Sequence, residues 1–151
     1  MEYSVDELHI LGDACTAIFL LIAGSDGRVS AAERTVFLRD HVRALLAARL
    51  IDEEREQAVM EILLQEYNDA AKLHALEASP VSSGLQTLRR AASLVAHKEQ
   101  ADPGAVKRYR MAMMSLARNI AEASRGFLGL GAATSAREET MLARIQAALS
   151  P

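Results

Sequence analysis

Ala23-Gly24-Ser25-Asp26-Gly27-Arg28-Val29-Ser30-Ala31-Ala32-Glu33-Arg34 is the stretch around which the chain is organised. An apolar helix ends in it and an amphipathic helix begins. Asp26-Gly27 is a turn dipeptide, because Gly tolerates positive φ and the Asp side chain can hydrogen-bond nearby backbone. Ser30 precedes Glu33 at capping-box spacing. In that motif the hydroxyl takes an orphan helix N–H and the carboxylate reaches back to the cap residue.

The same spacing matches the second half of an EF-hand calcium loop. With Gly27 as the loop glycine, Asp26 falls at position 5, the Arg28 carbonyl at 7, Ser30 at 9 and Glu33 at 12. Positions 1 and 3 fall on Ile22 and Gly24, which offer no side-chain oxygen. Half a calcium loop leaves two readings open. One is a capped helix–turn–helix with no ion. The other is a divalent-metal site that draws further carboxylates from elsewhere in the fold.

Upstream, Leu8, Leu11, Cys15, Ile18 and Ile22 form a helical stripe over residues 5–23, and Ile10, Ala14, Ala17 and Leu21 widen it. A helix apolar nearly all round belongs at the centre of a bundle. Ser4 and Glu7 repeat the capping-box spacing at its start. Downstream, a second helix is expected over residues 31–49, with Leu38, Val42, Leu45 and Leu46 inward. A third begins at an Asp52 cap, carries Met60, Leu63, Leu64, Tyr67, Ala71 and His74, and stops at Ser79-Pro80.

A fourth helix is expected over 83–98, with Leu85, Leu88, Ala92 and Val95 as its core face. Asp102-Pro103 reads as an N-cap followed by Pro at the first helical position. The fifth helix then runs over 103–124, with Val106, Met113, Leu116, Ile120 and Ala123 inward. Met111, Met113 and Met114 make a soft patch suited to packing or to a partner. Glycines at 126, 129 and 131 predict an irregular loop over 125–134. That loop has no preceding strand and no G-x-G-x-x-G order, so it is not a nucleotide fingerprint. A last helix over 136–149 shows Leu142, Ile145 and Leu149 on one face.

The chain has 151 residues, of which 50% are hydrophobic and 4% aromatic, with no Trp. Helix formers outnumber strand formers, so the expected fold is all-α. It reads as a single domain, 1–151, holding a bundle of about six to seven helices. The net charge of −3 gives no electrostatic case for nucleic acid or for an anionic membrane. The one cysteine, Cys15, sits in an apolar pattern and reads as buried filler. Glu2, Asp6 and Glu7 are the opposite of a basic signal-peptide start, and the apolar run 17–23 is too short to span a bilayer. A soluble cytoplasmic protein without membrane insertion is the expectation.

The end of the chain restates its opening turn. Ser30-Ala31-Ala32-Glu33-Arg34-Thr35 aligns with Ser135-Ala136-Arg137-Glu138-Glu139-Thr140. This suggests an internal pseudo-repeat of helix–turn–helix units, over about 5–49 and 103–149. A shared acidic site would use Asp26, Ser30, Glu33 and Glu138, with Glu122 and Glu139 as further candidates. Oxygen-only ligands suit calcium, magnesium or manganese better than zinc. His9, His41, His74 and His97 show no paired ligand spacing and read as structural or exposed.

With these residues in view, the chain resembles the tellurite-resistance protein TerB family and its wider TerB-like domains. The resemblance rests on the apolar helix with Asp26-Gly27-Arg28-Val29 and Glu33. It rests also on Ile120-Ala121-Glu122-Ala123-Ser124-Arg125-Gly126-Phe127-Leu128 with Ser135 and Glu138. It implies an all-α bundle with internal pseudo-symmetry and an acidic surface proposed to bind metal. It also implies a cytoplasmic, non-enzymatic role in stress-response or tellurite-resistance systems, near membrane-associated protein partners. Arg125-Gly126 departs from a symmetric acidic pair. Two other functions compete: a protein-interaction domain without metal, using the Met-rich fifth helix or the Gly126–Gly131 loop as its contact surface and with a homodimer as its simplest form, and a metal-dependent hydrolase using Glu33 and Glu138.

Overall fold

A computed structural model describes residues 3–25, 31–51, 53–68, 71, 74–75, 78–128 and 136–150. The described residues form six α-helices and no strand: α1 Val5–Ser25, α2 Ala31–Ala47, α3 Glu56–Asn68, α4 Val81–Lys98, α5 Ala105–Leu128 and α6 Ala136–Ala148. A 3-10 turn, Glu53–Arg55, leads into α3. The expected all-α bundle is therefore the fold.

Each of the other five helices described packs on α1. Leu8, Leu11, Ala14, Cys15, Ile18, Phe19 and Ile22 are all buried, so α1 has a nearly complete apolar coat. Measured on the whole helix instead of the uninterrupted run 17–23, α1 is long and apolar enough to cross a membrane. In this fold 67% of its most apolar window is buried by the protein itself.

Two neighbours meet α1 through different devices. Glu7 near the start of α1 pairs with Lys98 at the end of α4 at 3.1 Å, while Leu21 near the end of α1 meets Gly84 near the start of α4. These two contacts make α1 and α4 antiparallel. Phe19 of α1 stacks on Phe37 of α2 with centroids 4.7 Å apart, and His41 stacks on Phe37 in turn. Across the bundle α2 lies chiefly along α5, also antiparallel. There the Arg108 Nε donates to the Ala48 carbonyl, and the Asn119 amide donates to Asp40.

Several sequence expectations shift by a residue or a turn. The buried stripe of α2 is Glu33, Phe37, His41, Val42 and Leu45, and Leu38 is 37% exposed. Aromatic stacking on α1 rotates the helix by about one residue from the aliphatic choice. Val59 rather than Met60 anchors α3. The described part of α3 ends at Asn68; Ala71, His74, Ala75 and Ala78 are helical as well, whereas Asp52 and the side chains of Leu63 and Tyr67 lie outside the described residues.

The start of α5 is two residues later than Pro103, because Gly104 has φ +87° and breaks the helical path. The cap is Glu99, whose two carboxylate oxygens accept from the backbone N–H of Gly104 and Val106 at 2.9 and 2.8 Å. These bonds hold the Glu99 carboxyl below its ordinary range. Asp102 instead pairs with Arg108. At its other end α5 runs through Gly126 to Leu128, four residues beyond the expected stop at 124. An isolated glycine costs about 1 kcal/mol in a helix and does not by itself end one. The remainder of the expected loop, 129–134, lies outside the described residues.

The end of α2 is closed without glycine. Leu50 N–H donates to the Leu45 carbonyl and Arg49 N–H to that of Leu46, a Schellman pattern with Arg49 at φ 56°. A side chain at left-handed φ costs about 1–2 kcal/mol. Arg49→Gly should therefore stabilise the protein by about 1 kcal/mol and raise Tm by roughly 2–4 °C in a thermal melt. Gly84 is the opposite case, since a Cβ there would lie 3.1 Å from Leu21. Gly84→Val should cost about 1–3 kcal/mol through overpacking, and an unchanged melt would contradict the close α1–α4 approach.

His41 is 1% exposed, and its Nδ1 lies 2.8 Å from the Phe37 carbonyl. Burial holds its pKa below the ordinary 6.5, outweighing the opposing backbone hydrogen bonds and the nearby Asp40 charge. The neutral ring is therefore the folded form, and the unfolded chain binds the proton more readily. Stability from this group is complete above pH 6.5 and is lost as pH falls from there through the lower folded value. Thermal melts across that acid range should fall more steeply for the native protein than for His41→Phe.

Candidate functional site

Three capping-box pairs occur in the chain, and they do not end alike. At Ser4 and Glu7 the box is formed and open to water: Ser4 N–H donates to the Glu7 carboxylate at 2.8 Å, and Glu7 N–H donates to Ser4 Oγ at 3.2 Å. These bonds, led by the one from the Ser4 backbone, hold the Glu7 carboxyl below its ordinary range. Glu33 and Glu138 occupy the corresponding third positions of α2 and α6, but they are 1% and 3% exposed. They are the two buried carboxylates among the described residues. Capping explains a carboxylate at the third helical position and does not require its burial, as Glu7 shows.

The two helix starts correspond in further detail. Thr35 Oγ1 donates to the Ala31 carbonyl at 2.9 Å, and Thr140 Oγ1 donates to the Ala136 carbonyl at 2.8 Å. The end of α1 lies beside the start of α6. Ser25, the last residue of α1, lines a surface depression with Ala136, Arg137, Thr140, Met141 and Arg144 of α6. Two guanidinium groups, of Arg137 and Arg144, stand at the same junction.

The other sequence candidates are placed as follows. Asp26 and Ser30 lie outside the described residues. Glu139 is exposed on the outer face of α6, away from the buried side that carries Glu138. Glu122 is exposed on α5 and lines a separate groove between α5 and α6. Among the described residues no group of three or more His, Cys, Asp or Glu is placed to hold a metal ion. Neither Glu33 nor Glu138 lines that groove, the depression at the α1–α6 junction, or the one along α3.

A second buried polar group has no counterpart in the sequence reading. Tyr3, Cys15 and Tyr109 meet in the core where α1 and α5 cross, and both phenolic oxygens are enclosed without a described hydrogen-bond partner. Burial pushes the Cys15 thiol up to about 12. It also raises Tyr3 to about 12, helped by the Asp102 and Glu7 charges, and raises Tyr109 further. All three groups stay neutral at physiological pH. Cys15 is thus an inert apolar filler and not a thiolate nucleophile. The 3.6-residue pattern of α5 passes through Tyr109 between Val106 and Met113, which is the signal that could have placed it inward.

Comparison with known proteins adds no relative: no family model matches the chain, and neither a curated protein nor a solved structure matches it significantly.

Proposed function

We propose that the chain is a non-enzymatic binding or adaptor module of the TerB-like kind. In this reading its acidic turns take a divalent cation weakly, and its surface meets a protein partner in a cytoplasmic stress-response or tellurite-resistance system. The observation that carries the reading is the matched burial of Glu33 and Glu138 at the starts of α2 and α6. Taking a carboxylate out of water costs several kcal/mol unless it is compensated by charge or by hydrogen bonds. Helix N-termini supply part of that compensation. A cation held between the two turns would supply more.

The donor chemistry fits a hard cation. Asp26, Ser30, Glu33 and Glu138 offer oxygen atoms only, which suits calcium, magnesium or manganese. The ion's contribution there is counter-charge that ties the two turns together. With few carboxylates and two arginines at the junction, calcium affinity should be on the order of 10⁻⁴ M or poorer. The shared Ser-x-x-Glu-x-Thr pattern and the matching Thr35 and Thr140 bonds support the pseudo-repeat of 5–49 and 103–149 as the frame of this site.

Calorimetric titration of the metal-stripped protein with calcium, then magnesium and manganese, tests the site. Heat of binding should appear with at least one ion and vanish in Asp26→Asn combined with Glu33→Gln. Heat that persists in that folded double variant removes these residues from the site. The absence of heat with all three ions leaves Ser30–Glu33 and Ser135–Glu138 as helix caps, and the module as a protein-interaction domain without metal.

A further inference from the structure

One face of α5 is basic in a protein whose net charge is −3. Lys107, Arg110 and Arg118 lie on one side of the helix and line an open groove of about 540 Å³ between α5 and α6. Met111, Met114 and Leu149 line the same groove. Met114 and Leu149 are buried and form its floor, whereas Met111 is 64% exposed, more than any other large hydrophobic residue described. None of the three cations is in an ion pair with another described residue. From Lys107 to Glu122 the groove follows about 22 Å of helix, or about four turns.

An elongated trough with an apolar floor and a charged rim is the shape that receives an amphipathic helix. Methionine adapts its flexible, polarisable side chain to the apolar groups it meets. The rim charge selects the sign of the partner. We propose that the α5–α6 groove docks an acidic amphipathic helix of a partner protein. Its apolar side chains rest on Met111 and Met114, and its carboxylates face Lys107, Arg110 and Arg118. The three cations span 107–118, so the acidic edge of the partner lies over that stretch. A concave groove suits a helix-sized peptide better than an anionic bilayer, which is broad and flat. The groove uses neither Glu33 nor Glu138, so it stands whether or not the turns bind metal.

The test uses the full chain, isotopically labelled, and a short synthetic helical peptide with leucines on one face and glutamates flanking them. Amide shifts confined to 107–118 and 146–149 are expected, with affinity falling as salt rises. Arg110→Glu with Arg118→Glu, both exposed, should weaken binding roughly tenfold while the thermal melt is unchanged. Replacing the peptide's glutamates by lysines should weaken binding as well. No shifts, or shifts outside the groove, overturn the proposal. So does cosedimentation with phosphatidylglycerol vesicles that the same double variant abolishes while the peptide fails to bind. A concentration-dependent dimer in light scattering, dissolved by the double variant and not displaced by the peptide, assigns the groove to a second copy and overturns it too.

Discussion

The enclosure of α1 is the constraint on which the rest of the structure depends. Its side chains are apolar in almost every direction, so no single partner helix can cover them. Among the described residues five helices are arranged around it, and each contributes a face that would be poorly covered alone. The close approach at Gly84 and Leu21 lets α4 lie near the α1 backbone. The Phe19–Phe37–His41 stack fixes the rotation of α2. Paired charges at Glu7–Lys98 and Arg108–Asp102 mark the helix ends and contribute little energy beyond register, as exposed or half-exposed ion pairs generally do.

Against that apolar background, the few buried polar groups stand out. Thr16, Glu33, His41 and Glu138 are the buried polar or charged residues described. His41 is accommodated as a neutral ring bonded to its own helix. The two glutamates are held in the first turns of α2 and α6, where backbone N–H groups and the helix dipole favour negative charge. The last residue of α1 lies beside the first residues of α6, so the start of α6 sits at the end of the central helix.

Much of this was legible in the residues. The stripe Leu8, Leu11, Cys15, Ile18, Ile22 marked α1 as central, and Leu85, Leu88, Ala92 and Val95 marked the inner face of α4. Ser4 with Glu7 announced a cap that forms as the spacing requires. The errors fall where two local signals competed. Asp102-Pro103 looked like a helix start, but a longer-range carboxylate, Glu99, took the backbone groups. Gly126 looked like a stop, but α5 carries one glycine at modest cost and continues to Leu128.

The sequence alone determined that the chain is helical, that one helix is apolar enough to need a full shell, and that glutamates sit at capping positions. Those properties are set by neighbours within a turn or two, where periodicity and hydrogen-bonding spacing act. Only the tertiary structure decided that Glu33 and Glu138 are buried while Glu7 is not. It likewise decided that Phe37 rather than Leu38 faces the core, and that Lys107, Arg110 and Arg118 share a groove with Met111. Burial depends on what the other helices bring to each face, and a residue's own neighbours in the chain do not encode that.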